Sequence, residues 1–261
     1  MLGRLALLSR SRLVSVPTIR LLHTTSIYQR SLEIVQTRPY TTKGCPSNSE
    51  KCRTKRTPPA PNTHYRRTLP DTLINLTSPQ GRQMFQEALN DGAMVNFLPL
   101  VGNFTHQSDV AMCGPGSLAM VLNAVEADPG RVWRGIWRWY SDDMLECCET
   151  VESMRAKDAR RHDQSSLEEF TKAVEESATE SGRHLVVSFS RQSLGQTGIG
   201  HFSPIAGYHR AKQMVLVLDV ARFKYPSYWV PIELLWQSMA PLDPDTNQAR
   251  GYFLLSRPRP E

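Results

Sequence analysis

A glutamine lies six residues before a cysteine in the stretch Gln107 to Pro115, and the cysteine opens an amphipathic run. Apolar residues recur at helical spacing after Cys113, and Pro115 suits the first helical turn, where a missing N–H costs little. The pattern predicts a core-facing helix over about residues 113–125 with Cys113 at its N-terminus. Helix dipoles and free N–H groups there favour a thiolate, which is the nucleophile of cysteine chemistry. The amide of Gln107, one short loop upstream, is placed to donate to an oxyanion.

Two later extended runs, residues 201–208 and 214–220, are separated by a short polar stretch and suit a β-hairpin. If residue 208 pairs with residue 212, His201 falls directly opposite Asp219. Side chains opposed in this way share a face of the sheet, with Cβ atoms about 5 Å apart. The hairpin is therefore predicted to let the Asp219 carboxylate hold the His201 imidazole.

Cys113, His201 and Asp219 together would supply a nucleophile, a general base and a carboxylate that fixes the tautomer of the base. Each residue also has an ordinary alternative from spacing alone. Cys113 can be a buried helix cysteine, His201 a core histidine with a satisfied ring, and Asp219 a turn or cap residue.

Local patterns predict the elements that must position these groups. Capping sequences start two helices, one at Ser78-Pro79 and one at Ser166 with Glu169 three residues later. Three further elements follow from periodicity: a strand at 184–190, a short helix at about 231–240 and a strand at 251–256. Residues 150–165 are charged and predict an exposed connection. The tryptophans at 133, 137 and 139 suit either core packing beside stacked arginines or a substrate wall.

The positive charge of the chain is concentrated at its N-terminus. Residues 1–67 carry 13 Lys and Arg against two acids, whereas residues 68–261 carry 18 against 23. The body is mildly acidic and has no basic stripe with interleaved aromatics, which argues against nucleic-acid binding. Residues 1–32 combine Arg, Ser and Leu without an acid, which predicts a mitochondrial transit peptide. The alternative is a basic tail that carries no targeting signal. Residues 33–63 predict a disordered linker, and no segment is suited to span a membrane.

The five cysteines do not form a disulfide framework, because their number is odd and no CxxC pair is present. Free thiols in a reducing compartment fit this pattern best. The adjacent pair Cys147-Cys148 is the candidate metal site, although two thiolates do not complete a tetrahedral zinc site.

Long and rare strings resemble the phytochelatin synthase family, whose members are papain-like transpeptidases. The resemblance covers residues 64–258 as one catalytic domain. The matching stretches are His64 to Pro70, Gln107 to Gly114, residues 121–124, 128–131, 137–139 and 144–149, Gly198 to Gly207, and Leu216 to Trp236.

The resemblance implies an α+β, papain-like fold, in which a helical half with the nucleophile helix packs on an antiparallel β half behind a disordered basic N-terminal extension. It also implies the roles of four residues. Cys113 would be the acylated nucleophile, His201 the base and acid, Asp219 its orienter and Gln107 the oxyanion donor.

The resemblance further implies a glutathione γ-glutamylcysteinyltransferase that holds γ-Glu-Cys as a thioester and makes phytochelatins for heavy-metal detoxification. Glutathione and metal–glutathione complexes would be its partners, with no organic cofactor. Cadmium, zinc or copper would act as an activator, mainly because the preferred acceptor has a metal-blocked thiol. Arg222, Lys224 and Gly200 are the candidate substrate-binding residues, the two cations suiting either substrate carboxylates or structural ion pairs.

Three departures from the family pattern leave two other functions open: a glutathione or glutathione-conjugate hydrolase that releases glycine, and an inactive thiol-rich metal-binding remnant. The cysteine-rich C-terminal region of many eukaryotic members does not follow in this sequence. The stretch between Glu149 and Ser166 is about twenty residues shorter than usual. Pro115-Gly116 replaces the usual Leu-Ala after the Cys-Gly pair.

Overall fold

A computed structural model describes residues 66–145 and 158–256 of the 261-residue chain. The predicted transit peptide, the predicted linker (residues 33–63) and the Cys147-Cys148 pair lie outside the described residues. The principal elements in chain order are β1 (Ile74–Asn75), α1 (Pro79–Asn90), α2 (Phe97–Gly102), α3 (Cys113–Ala124), β2 (Asp158–Arg161), α4 (Leu167–Thr179), β3 (Arg183–Ser190), β4 (Gly200–His209), β5 (Met214–Val217), β6 (Tyr228–Pro231), α5 (Ile232–Gln237) and β7 (Gly251–Ser256).

The seven strands form one antiparallel sheet in the order β1-β6-β5-β4-β3-β7-β2. Alternate residues of a strand face opposite sides of the sheet, and β3 shows this clearly. Leu185 and Val187 join a core with α4 and α5, whereas Val186 joins a second core with α1, α2 and α3. The fold is therefore α+β, and the nucleophile helix α3 packs in the second core.

Both predicted capping sequences begin helices. Ser78 caps α1 by accepting from the N–H of Gly81 at 3.0 Å, and Pro79 is the first helical residue. Ser166 and Glu169 form a reciprocal capping box at the start of α4, with two 3.2 Å hydrogen bonds. These helix starts were predictable because a cap depends only on residues close in sequence.

The predicted hairpin forms, but its predicted register is wrong. Tyr208 pairs with Val215 instead of residue 212, and the β4–β5 ladder shifts between Ile205 and Gly207. The connection is a 3₁₀ turn at Arg210–Lys212, closed by Gln213 with a φ of 50°. Asp219 consequently lies beyond the end of β5 and not directly opposite His201.

Two other expectations are met only in part between α3 and α4. The last residues of the predicted exposed connection include β2, which pairs with β7 at the sheet edge. The tryptophans do not enter the core: Trp137 is 70% exposed, and Trp133 carries the guanidinium of Arg134 over its ring at 4.6 Å. The expectation of arginine stacking is confirmed at Trp133, and the expectation of core packing is wrong.

None of the helices within residues 66–145 and 158–256 combines the length and the apolar character that a membrane span requires. The longest of them, α4, has 13 residues, whereas crossing a bilayer takes about 20 apolar residues.

Candidate active site

Cys113 is the first residue of α3, as the sequence predicted. No side chain caps this helix. Pro115 has no N–H, and the N–H of Gly116 already donates to the carbonyl oxygen of Met112 at 2.9 Å. The N–H groups of Cys113 and Gly114 are therefore the first-turn donors directed out of the helix end. They provide partial positive charge beside the half-buried Cys113 sulfur.

The thiol of Cys113 is poised to ionise. Burial alone would raise its pKa, but the hydrogen bond to His201 and the charge of that residue lower it below the ordinary value of a thiol. The backbone of Phe202 and the charge of Arg191 act in the same direction. The net lowering favours a thiolate–imidazolium pair, the reactive form of a cysteine nucleophile.

His201 is held from its other side by Asp219. The imidazole Nε2 lies 2.9 Å from Asp219 Oδ1, so the remaining ring nitrogen, Nδ1, is left for Cys113. The ring is 3% exposed and packs edge-on against Phe189, with centroids 5.6 Å apart. Asp219 Oδ1 also accepts from the N–H of Ala221 at 2.9 Å. The structure thus brings together the three residues that the sequence predicted as nucleophile, base and orienter.

Arg191 is a member of this site that sequence reasoning missed. Its Nη1 lies 2.9 Å from Asp219 Oδ2 and its Nη2 donates to Asp219 Oδ1 at 2.9 Å, so the guanidinium grips the carboxylate with both nitrogens. Burial of Asp219 would raise its pKa, but the charges of His201 and Arg191 hold that pKa well below its ordinary range. Asp219 therefore stays ionised although it is fully buried.

A second layer of polar side chains surrounds Arg191. Its guanidinium donates to Gln196 Oε1 and stacks over the ring of Tyr225 at 5.2 Å, and the Tyr225 hydroxyl accepts from the N–H of Thr197 at 2.9 Å. The fully buried Tyr228 hydroxyl lies beside Gln196, and its pKa is raised by burial and by the nearby charge of Asp219. One local sequence pattern could have indicated Arg191, because this arginine lies between an apolar strand and a Gly-rich loop.

Gln107 lies in the loop before Cys113 and is 2% exposed. Its Nε2 donates to the carbonyl oxygens of Asp109 and Val110 at 2.7 and 3.0 Å, which uses both amide hydrogens. Its backbone N–H donates to Val220 O at 3.0 Å, next to Asp219. Gln107 therefore holds the loop between the nucleophile and the orienter. Donation to an oxyanion stays a prediction and requires the amide to exchange one of these partners.

Arg222 and Lys224 lie on the loop that follows Asp219, and neither has a carboxylate partner within the described residues. The exposed Arg222 guanidinium stacks over the ring of Phe104 at 4.7 Å. Burial and the nearby charge of Arg191 lower the pKa of Lys224, whose ammonium lies against Gly198. Structural ion pairing, one of the two predicted roles, is therefore absent from the described part of the site.

Gly200, the third predicted substrate residue, directly precedes His201 and faces a cation. A Cβ built at this position would lie 3.1 Å from Arg250 Nη2. Arg250 in turn donates to the carbonyl oxygens of Pro241 and Leu242 at 2.7 and 2.9 Å. The absence of a side chain at Gly200 thus lets Arg250 lie close to the start of β4, and a substrate contact of Gly200 stays a prediction.

The candidate metal ligands Cys147 and Cys148 lie outside the described residues. Among the side chains at 66–145 and 158–256, no group of three or more His, Cys, Asp and Glu is arranged to hold a metal ion. Cys113 is the one cysteine in this part of the chain, and it is a free thiol.

An ionisable cysteine at a helix start, with a histidine oriented by a buried aspartate, defines the class of the site as a cysteine-nucleophile triad. The phytochelatin synthase family profile matches residues 64–160 and 153–252. The chain therefore belongs to the phytochelatin synthase family. The match falls into two segments that overlap over residues 153–160.

Relatives from plants and yeast agree with this assignment. Glutathione gamma-glutamylcysteinyltransferase 2 of Arabidopsis thaliana is 44% identical over 215 residues, which are 76% of this chain and 48% of the relative. Glutathione gamma-glutamylcysteinyltransferase 1 of Lotus japonicus is 44% identical over 76% of this chain and 43% of its own. Glutathione gamma-glutamylcysteinyltransferase of Schizosaccharomyces pombe is 39% identical over 73% and 50%. The chain spans about half the length of the curated relatives it matches.

Proposed function

We propose that this protein is a glutathione γ-glutamylcysteinyltransferase that makes phytochelatins through a thioester on Cys113. The observation that carries the proposal is that His201, which lowers the pKa of the Cys113 thiol, lies 2.9 Å from Asp219 in a chain of the phytochelatin synthase family. The helices around Cys113 and the antiparallel strands around His201 also support a papain-like arrangement of the two sides of the site.

In the acylation step, the Cys113 thiolate attacks the carbonyl carbon of the Cys–Gly peptide bond of glutathione. A bond from sulfur to carbon forms, and the first N–H groups of α3 stabilise the negative charge on the carbonyl oxygen. The imidazolium of His201 then gives its proton to the departing amine as the C–N bond breaks. Glycine leaves, and γ-Glu-Cys remains as the thioester.

In the transfer step, the α-amine of a second glutathione attacks the thioester carbonyl and gives a proton to His201. The carbon–sulfur bond breaks, a peptide bond forms and Cys113 leaves as the thiolate. Arg222 and Lys224 are the proposed partners of glutathione carboxylates, because both cations lie on the loop that follows Asp219 and neither has a carboxylate partner in the described residues. Transfer exceeds hydrolysis only when the acceptor amine excludes water from the thioester.

Heavy metal enters this proposal as part of the substrate. Cadmium, zinc or copper bound to glutathione thiolates blocks the acceptor thiol and leaves its amine free, and soft thiolates suit these metals. Binding of metal by Cys147 and Cys148 remains a separate proposal. It is tested by comparing cadmium retention by the full chain with that of the Cys147→Ser, Cys148→Ser double variant.

The experiment that tests the activity incubates the full chain with glutathione, with and without cadmium, and follows the products by mass spectrometry. Peptides with repeated γ-Glu-Cys units support the transferase, and the Cys113→Ser variant should form neither these peptides nor glycine. Glycine with free γ-Glu-Cys alone would show a hydrolase instead. Metal retention without any glycine release would contradict both enzymatic functions.

We also propose that residues 1–32 direct the protein to mitochondria, on the basis of their Arg-rich, acid-free composition. A fluorescent protein fused after residue 63 should enter mitochondria. The same fusion with all five arginines of residues 1–32 changed to glutamine should remain outside them, and equal distribution of the two fusions would contradict the proposal.

A further inference from the structure

Asp142 contacts the loop that leads to the nucleophile, although it lies 29 positions after Cys113. Its carboxylate Oδ2 accepts a hydrogen bond from the backbone N–H of Ser108 at 2.7 Å. Asp142 is 9% exposed, and a short bond between a carboxylate and a peptide N–H in such a site is a strong one. Ser108 directly follows Gln107, so this contact fixes the first peptide of the pre-nucleophile loop, residues 107–112.

The segment that carries Asp142, residues 140–145, is itself fastened to α3. Asn123 and Tyr140 exchange two hydrogen bonds, from Asn123 Nδ2 to Tyr140 O at 2.8 Å and from Tyr140 N to Asn123 Oδ1 at 3.0 Å. Leu145 is buried in the same hydrophobic core as α3. The segment therefore forms a brace that runs from the C-terminal end of the nucleophile helix back to the loop at its N-terminal end.

The loop is held on its other sides by groups already described. The Gln107 side chain bonds to Asp109 and Val110 within the loop, and the Gln107 N–H bonds to Val220 beside the orienting aspartate. Asp142 supplies the contact from the α3 side. It is a charged residue, and its segment, residues 140–145, contributes no other side chain to the site. Its carboxylate does not contact Cys113 or His201, so it acts only through the loop.

We propose that Asp142 is a positioning residue for acyl transfer, which fixes the Gln107–Ser108 peptide and with it the side of the site where the oxyanion of the reacting carbonyl forms. The inference rests on the proposed acylation of Cys113. It separates two properties of the site: His201 favours the thiolate, whereas Asp142 and its loop shape the surroundings of the carbonyl oxygen, to which the first N–H groups of α3 also donate.

This separation gives a test that distinguishes a positioning role of Asp142 from a merely structural one. Alkylation of Cys113 by iodoacetamide needs the thiolate but forms no oxyanion, whereas release of glycine from glutathione needs both. Asp142→Ala should lower kcat for glycine release by about 10–100-fold, as expected when a loop at the reacting centre is misplaced by about 1 Å. The pH midpoint and rate of Cys113 alkylation, followed on the Cys113 peptide by mass spectrometry, should stay as in the unchanged protein.

Two further variants sharpen the result. Asp142→Asn keeps an oxygen that can accept from the Ser108 N–H, and it should retain more activity than Asp142→Ala. Asp143 is the matched control, because it is the next acid of the same 3₁₀ turn but is exposed, and its contact is to Ser141. Asp143→Ala should change neither glycine release nor alkylation.

A readout independent of activity comes from hydrogen exchange of the Ser108 amide in the full-length chain. Exchange should speed up by about tenfold or more in Asp142→Ala, because the amide loses its acceptor, and should be unchanged in Asp143→Ala. Unchanged exchange in Asp142→Ala, or glycine release and alkylation falling in parallel, would overturn the inference. Absence of glycine release from the unchanged protein would instead refute the proposed function, while the exchange measurement would still decide whether Asp142 holds the loop.

Discussion

His201 Nε2 and Asp219 Oδ1 lie 2.9 Å apart even though the β4–β5 ladder does not place the two residues opposite one another. The ladder ends at Val217, and Asp219 reaches His201 from the chain beyond it. A register shift between Ile205 and Gly207 accompanies this geometry. The contact therefore depends on the shape of the strand end and not on cross-strand pairing.

Asp219→Asn tests this contact. The amide has no charge to stabilise the imidazolium of His201, so kcat for glycine release should fall by about 100-fold or more, with little change in KM. Steady-state kinetics with glutathione measures both quantities, and Asp143→Asn serves as a control on an exposed carboxylate. A rise in KM with an unchanged kcat would show that Asp219 acts in binding and not through His201.

The state of the Cys113 thiol is expected to depend on His201. Since His201 lowers the pKa of Cys113 against the effect of burial, the alkylation rate should reach half its maximum at a lower pH than in the unfolded protein. In His201→Gln the midpoint should move upward, because burial then acts with less opposition. Alkylation rates of Cys113 across pH 5 to about 10 check this, with the unfolded protein as reference. Equal midpoints in the two proteins would contradict the pairing of Cys113 with His201.

The sequence indicated the helix starts because these depend on local composition and spacing, whereas the predicted triad rested on a family resemblance and on a hairpin register that does not form. Ser78, Ser166 and the Cys-Gly-Pro start of α3 each identify a helix start from within a few residues. The edge strand β2 was missed because its short, charged sequence shows no alternation, and main-chain bonds to β7 hold it in place. Strand propensity mainly reflects side-chain packing on a sheet face, so it is a poor guide to a strand at such an edge.

Arg191 was not found for a different reason. Its partner Asp219 is 28 positions away in sequence, and only the return of the chain through β4 and β5 brings them together. The same applies to Asp142 and Ser108, 34 positions apart. Charged groups that pair across such distances leave no periodic pattern, so their roles follow only from the folded structure.

Removal of the Arg191 guanidinium should destabilise the fold as well as the site. Arg191→Met leaves the buried Asp219 carboxylate with one cation fewer, and breaking a buried ion pair from one side costs about 3–5 kcal/mol. Arg222→Met is the matched control, since Arg222 is exposed and stacks on Phe104, and it should cost less than about 1 kcal/mol. Urea unfolding of both variants at pH 7.5 measures the difference. Equal free energies of unfolding would show that Arg191 contributes little to holding Asp219 ionised.

The buried His184 should make the free energy of unfolding depend on pH. Its ring is fully buried in β3, neither ring nitrogen has a hydrogen-bond partner within the described residues, and burial lowers its pKa from 6.5 to about 4. Between pH 6.5 and about 4, the unfolded chain therefore binds a proton at this histidine that the folded chain does not bind. Stability from this group is complete above the unfolded pKa and is lost as pH falls toward 4, at about 1.4 kcal/mol per pH unit.

His184→Leu should remove that contribution, because leucine binds no proton and suits the apolar position opposite Leu255 in the β3–β7 pair. The free energy of unfolding at pH 5 should then exceed that of the unchanged protein by about 1–2 kcal/mol or more, and its slope between pH 4.5 and about 6.5 should be shallower. Urea unfolding at intervals across this range measures both, with exposed His106→Leu as the control that keeps the buried ring. The slope must flatten in His184→Leu but persist in His106→Leu, because the His106 variant keeps the buried ring in β3.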